Sequence, residues 1–185
     1  MPRYVRGKQQ GRSYFFTVST YRKQALLTRP GALEMLRTSL EEVRCRQPFS
    51  LRAWVVLPDH GHFIWTLPPG DDDYPGRWDR LKAAYSRRLF DQAPDLASVP
   101  VSWRLRKRRA IWQRGFRAHR IIDPEDFTAY LDYLHYNPVK HGLAASASAW
   151  RFSSFHTYVE RGFYGRNWGG AVPLDVAVGH GGTGA

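Results

Sequence analysis

Cys45 is the only cysteine among the 185 residues. A disulfide within the chain is therefore impossible, and a zinc site built on several cysteines is excluded. Long apolar runs are also absent. No stretch approaches the ~18 apolar residues of a membrane helix, and the opening MPRYVRGKQQGR lacks the apolar core of a secretion signal. Acid is scarce: 16 Asp and Glu face 28 Lys and Arg, for a formal charge of +12. Such an excess points to a polyanionic partner, most commonly nucleic acid. Together these traits predict a reducing, cytoplasmic setting, at the nucleoid if the polyanion is DNA.

Aromatic residues are plentiful, with seven Trp, ten Tyr and ten Phe. They suffice to fill the core of one ordinary domain and leave some to stack on unpaired bases. We read residues 1–168 as one domain that begins with a basic arm, 1–12, and residues 169–185 as a flexible glycine-rich tail.

Along the chain, SYFFTVST (13–20) reads as a strand. Residues 31–47 read as a helix with Leu33, Leu36, Leu40 and Val43 on one face. LRAWVVLP (51–58) and HGHFIWTLP (60–68) read as two strands close enough to form a hairpin. A turn-rich loop with three adjacent acids, 68–76, leads to a helix over 77–90. After a loop at 91–100, residues 109–122 suggest a fourth strand or a bent pair. Asp123-Pro124-Glu125-Asp126 is a strong helix start, and the helix should end or kink at Asn137-Pro138. Residues 150–165 suggest a small helix. The order predicts an α+β fold: a ferredoxin-like βαββαβ sandwich with an added C-terminal helix that carries the chemistry.

His60-Gly61-His62 is the first chemical signal. Alternate strand residues share a face, so both imidazoles reach one point and can clamp a divalent metal. Structural histidines give the same spacing. Tyr133 and Asn137 lie four apart on the last long helix and share a face there. Two imidazoles and an amide oxygen suit Mg2+ or Mn2+ acting as a Lewis acid on a phosphate. A phenol is a poor nucleophile near neutrality, with an unperturbed pKa of about 10, and needs such help. Pattern alone equally allows Tyr130, Tyr133 and Tyr136 to be core residues and Asn137 to be an ordinary helix terminator. A zinc hydrolase would need a carboxylate ligand; Asp59 is adjacent to His60 but is expected to face away.

Basic residues cluster at Arg104, Arg106, Lys107, Arg108, Arg109, Arg114 and Arg117, with Arg87 and Arg88 on the preceding helix. Trp112 is interleaved among them, so this region is expected to track phosphates and stack on bases. His119 reads either as a phosphate contact or as a plain strand residue. His135 and His141 read as helix-surface or capping residues, and Cys45 as chemically idle.

Five segments, in order, resemble the REP-associated tyrosine transposases, a branch of the single-tyrosine HUH transposases. They are VVLPDHGHFIWTLP (55–68), LKAAYSRRLF (81–90), IWQRGFRAHRI (111–121), YLDYLHYNPVKHGL (130–143) and WRFSSFHTY (150–158). The resemblance implies a metal-dependent nickase and strand transferase for single-stranded DNA at REP-like hairpins. It implies Tyr133 as the nucleophile that becomes joined to a 5′ phosphate, with His60, His62 and Asn137 as metal ligands. One departure stands out: the family carries a bulky residue between the two histidines, and this chain has Gly61. A domesticated relative that binds structured nucleic acid without cutting it is the alternative. Monomer and homodimer are both compatible with the sequence.

Overall fold

The computed structural model describes residues 11–92 and 111–170. The basic arm up to residue 10, the cluster Arg104, Arg106, Lys107, Arg108 and Arg109, and the tail from 171 lie outside the described residues.

Four strands form one antiparallel sheet in the order β2-β3-β1-β4. They are β1 (Ser13–Ser19), β2 (Ser50–Val56), β3 (His60–Thr66) and β4 (Arg117–Ile121). Helices α1 (Ala32–Arg46) and α2 (Tyr74–Gln92) provide the two crossovers of the βαββαβ unit. Helix α3 (Pro124–Lys140) is the added helix, followed by the short α4 (Phe155–Glu160).

Period-two alternation on β1 and β3 divides the core in two. Tyr14, Phe16 and Val18, with Phe63 and Trp65, pack against Leu36, Leu40, Trp78, Leu81 and Tyr85 of α1 and α2. Phe15 and Ile64 point the other way, onto Tyr130, Leu131 and Leu134 of α3. Because both faces are covered, β3 is buried from His60 to Trp65. His60 and His62 share the α3 face by the same alternation, and Gly61 lies on the α1–α2 face.

Several boundaries differ from the sequence reading for local reasons. Helix α2 begins at Tyr74, not 77, because the Asp73 carboxylate accepts a hydrogen bond from the Gly76 amide (2.9 Å) and caps it. The other two acids of that loop are also engaged. Asp71 takes a bidentate bond from Arg77 (2.6 and 2.9 Å), and Asp72 accepts from the Tyr14 hydroxyl (2.8 Å) and pairs with Arg12. Among the described residues of the 109–122 region, a strand forms over Arg117–Ile121, with an isolated bridge between Thr20 and Trp112.

The expected end at Asn137-Pro138 is also corrected: α3 runs through Pro138 to Lys140. Proline lacks the N–H that would bond Leu134 O, a loss of one bond, and the turn beyond it is still closed by His141 N–H donating to Asn137 O (3.0 Å). In the expected helix over 150–165, only 155–160 is α-helical. Residues 150–154 instead cover the outer edge of β2: Val56 N–H donates to Phe152 O (2.8 Å), and Trp54 and Ser154 exchange bonds of 2.9 Å. This protects the free edge from pairing with another chain.

Among the described residues, no helix is long and apolar enough to cross a membrane.

Candidate active site

The site sits between β3 and α3. On β3, His60 and His62 have ring centroids 5.2 Å apart. Each imidazole uses Nδ1 for a neighbour inside the protein. His60 Nδ1 is 2.6 Å from Asp59 Oδ1, and His62 Nδ1 is 2.9 Å from Thr17 Oγ1 on β1. Such partners fix the ring orientation and leave Nε2 for a ligand. His62 Nε2 is buried and has no hydrogen-bond partner. Burial, and then the charge of His60, push the His62 pKa well below its ordinary value, so the ring is neutral. Neutral imidazole is the metal-binding form.

Asp59 was expected to face away. It lies at the turn before β3, where strand alternation does not apply, and its carboxylate turns back to His60. Lys23 Nζ approaches the other oxygen at 3.7 Å. This lysine and Arg22 both adopt left-handed backbone conformations (φ 57° and 53°), uncommon for residues with side chains. The turn is tied down by Thr20, whose hydroxyl lies 2.7 Å from Gln24 O and 2.9 Å from Asp59 O.

Helix α3 supplies the rest. Its start is the one the sequence predicts: the Asp123 carboxylate accepts from the Asp126 amide (2.7 Å), and Pro124 takes the first position. Three turns on, the Tyr133 ring meets His62 edge-on at 5.4 Å between centroids and Phe15 at 5.9 Å. Tyr133 is half-buried, and Asn137, one turn later, is fully buried. Neither Asn137 Oδ1 nor Nδ2 has a partner. The amide sits close enough to His62 to favour its protonated form, but no hydrogen bond of ordinary geometry joins them. A buried amide leaving both atoms unsatisfied costs several kcal/mol at the upper end, roughly 2–7, so a buried pair of this kind calls for a ligand.

Among the described residues, no three His, Cys, Asp or Glu side chains gather as a metal cage. The Asn137 oxygen, buried beside His62, is the atom that could serve as a third protein ligand. The two imidazoles and that oxygen, with the polar atoms of His62 and Asn137 unpartnered, fit a divalent cation.

The sequence reading missed two neighbours. The His141 ring, at the C-terminal cap of α3, lies 5.0 Å from that of His60 and so borders the site. Lys140 places Nζ 4.8 Å from the centroid of the Tyr133 ring. Helix periodicity, seven residues from Tyr133, could have revealed the lysine.

A buried polar chain anchors α3. His135 Nε2 lies 2.9 Å from Ser154 Oγ, and Tyr164 donates to Asp132 (2.7 Å) while lying 3.3 Å from His135 Nδ1. Burial pushes the His135 pKa down to about 3, so this ring is a neutral structural group, not the surface residue expected.

The basic residues divide. Arg117 is exposed and pairs in register with Thr17, which pairs with His62, so the three share one row of the sheet. Arg114 is exposed in a loop that Lys82 Nζ holds through Gly115 O (2.5 Å), beside the β1 end facing His60. His119, on the same face, sits against Tyr130 (4.5 Å between centroids) and Asp126 (3.0 Å). Arg87 and Arg88 lie elsewhere, on α2, paired with Glu42 of α1 at 3.4 and 2.9 Å. Trp112, expected to stack on bases, is buried: it packs on Tyr85 and its Nε1 donates to Lys82 O (3.2 Å).

The family described as IS200-like transposase matches residues 9–137, a span that holds His60, His62, Tyr133 and Asn137. The chain is 40% identical over 173 residues to the REP-associated tyrosine transposase of Escherichia coli K12, covering 93% of each. It belongs to the REP-associated tyrosine transposases of the IS200-like family. A Haemophilus influenzae relative is 34% identical over 177 residues, covering 95% of this chain and 98% of its own. A solved REP-associated tyrosine transposase bound to a REP hairpin is 36% identical, with a TM-score of 0.75 over 100% of this chain and 99% of that one. As a tyrosine transposase, the protein cuts and rejoins DNA, and a tyrosine beside a histidine pair is the feature of this site that matches its name.

Proposed function

We propose that this transposase binds a DNA hairpin and cuts the adjoining single strand with Tyr133, becoming joined to the 5′ phosphate and releasing a 3′ hydroxyl. The observation that carries the reading is the approach of Tyr133 to His62, 5.4 Å between ring centroids, with His62 Nε2 and the Asn137 amide both unpartnered. His60, His62 and Asn137 would hold Mg2+ or Mn2+. That ion, when bound, supplies Lewis-acid polarisation of the scissile phosphate.

The chain's own residues do the rest. Asp59 and Thr17 hold the imidazoles in one orientation. Phe15 packs against both His62 and Tyr133 and keeps water from that side of the phenol. The His135–Ser154 and Tyr164–Asp132 bonds fix α3, so the phenol is held near one geometry, which is worth several kcal/mol in an intramolecular reaction. Arg117, exposed on the His62 face of the sheet, and Arg114, exposed in the loop before it, would draw in the phosphate backbone. A hairpin substrate agrees with the relative solved on a REP hairpin, and acting on DNA implies work at the nucleoid. Gly61 lends little weight to a domesticated binder that does not cut, because Phe63 fills the space beside it.

The test is a labelled REP-like hairpin oligonucleotide with single-stranded flanks, incubated with protein and Mg2+ or Mn2+ and resolved under denaturing conditions. The parent should form a covalent protein–DNA adduct. Tyr133→Phe should retain hairpin binding and form none; an adduct in that variant overturns the nucleophile assignment.

A further inference from the structure

Lys140 ends α3, seven residues and about two helical turns past Tyr133, so the two side chains share a face. Its ammonium lies 4.8 Å from the centroid of the Tyr133 ring. The side chain is exposed at the mouth of the site. Among the described residues no carboxylate pairs with it, whereas Lys23, whose charge also acts on His141, is paired with Asp59. The charge of Lys140 is also felt at His62 and His141, where it opposes protonation. A cation at a helix C-terminus has an ordinary explanation, since it complements the helix dipole. That explanation does not account for the ammonium lying over the phenol ring.

We propose that Lys140 is a catalytic residue of the strand-transfer reaction: its ammonium engages the non-bridging oxygens of the phosphoryl group as that group passes to Tyr133. The inference rests on Tyr133 being the nucleophile. In the step, the phenolic oxygen forms a bond to phosphorus and its proton goes to water. The bond from phosphorus to the 3′ oxygen breaks, that oxygen keeps the electron pair, and it takes a proton from water to leave as a hydroxyl. The phosphodiester's negative charge is retained throughout and now sits on the tyrosine, beneath Lys140. A fixed cation where charge gathers in the transition state acts on the rate of the step more than on binding. On the return step, when a 3′ hydroxyl attacks the tyrosine-linked phosphate, the same contact operates in reverse.

The experiment compares the parent, Lys140→Met, Lys140→Arg and Tyr133→Phe with the labelled hairpin substrate and Mn2+. Hairpin affinity is measured by fluorescence anisotropy, adduct formation by single-turnover kinetics, and folding by thermal melting. Lys140→Met should slow adduct formation roughly a hundredfold, with affinity and melting temperature close to the parent's, and Lys140→Arg should restore most of the rate. An unchanged rate in Lys140→Met overturns the proposal. So does a rate loss matched by an equal loss of affinity or by a lowered melting temperature, since either assigns Lys140 to binding or to the helix end. Tyr133→Phe separates the two readings: an adduct there removes the nucleophile assignment, while its absence together with an unchanged Lys140→Met rate removes only the lysine's role.

Discussion

The Phe63 ring lies where a side chain on Gly61 would begin. A Cβ at position 61 would come 2.9 Å from Phe63 Cε2 and 3.3 Å from Cζ, with Val55 O at 3.2 Å. The missing side chain is thus refilled from two residues along the same strand face, and the α1–α2 core keeps its density without a bulky residue between the histidines. Gly61→Val alone should therefore overpack the core and cost about 1–3 kcal/mol. Phe63→Ala alone should cost about 3–5 kcal/mol by opening a cavity. Urea denaturation of the double variant should show a loss smaller than the sum, with a coupling of about 1 kcal/mol or more. Strictly additive losses would show that the two positions do not share one space.

Asp59 acts on the site through His60. Burial by itself would raise the Asp59 pKa, but the bond to His60, the charge of that ring and Lys23 together hold it below the ordinary value, so the carboxylate is ionised near neutral pH. If His60 and His62 bind a cation, Asp59→Ala should weaken Mn2+ binding roughly 10- to 100-fold, as loss of an outer partner of a histidine ligand does. Isothermal titration with Mn2+ measures this without any DNA, and circular dichroism checks that the fold is intact. Unchanged Mn2+ affinity would mean that the 2.6 Å contact does not tune a ligand.

Local patterns made part of this legible and long-range contacts hid the rest. His60 and His62 were readable because strand alternation is local, and Tyr133 with Asn137 because helix spacing is local. The βαββαβ order followed from the same periodicities. Asp59 escapes strand alternation because it sits in the turn before β3. Trp112 was placed with its basic neighbours in sequence, but its indole bonds to Lys82 O, thirty residues earlier. Arg87 and Arg88 looked like a phosphate-tracking pair, and the acid that engages them, Glu42, is on a different helix.

Arg77 is one of the largest fully buried side chains, and Asp71 is its charge partner at 2.6 Å. The guanidinium also donates to Gln47 O, Pro48 O and Asp73 O, joining the α2 start to the α1–β2 turn. The bond from Arg77 holds the Asp71 pKa below its ordinary value. Asp71→Asn should cost about 3 kcal/mol at neutral pH, at the lower end for a broken buried pair because three carbonyls still take up the guanidinium. A depressed carboxylate pKa stabilises the fold above the unfolded-state value, and that contribution is lost as pH falls through the folded-state value. The stability gap between parent and variant, read from urea curves, should therefore hold from pH 7 to about pH 5 and close below about pH 4. A gap that persists unchanged at low pH would assign the effect to packing and not to charge.

Arg117 and Arg88 carry the same charge in different surroundings, and hairpin binding should tell them apart. Arg117 is exposed on β4, in the row of the sheet that holds Thr17 and His62, so a strand reaching Tyr133 passes near it. Arg88 bonds Glu42 at 2.9 Å, and its guanidinium also reaches Ala84 O and Ser39 Oγ. Its charge is largely spent inside the α1–α2 layer, on the far side of the sheet from His62. Arg117→Gln should weaken hairpin binding at all sequences alike and reduce the slope of log affinity against log salt by about one. Arg88→Gln should leave that slope unchanged and lower thermal stability modestly, by about 0.5–1 kcal/mol as for a partly exposed ion pair. Anisotropy titrations over a range of salt concentrations measure both slopes on one hairpin. A reduced slope for Arg88→Gln with none for Arg117→Gln would move the DNA path to the helical face and away from the one that carries the tyrosine.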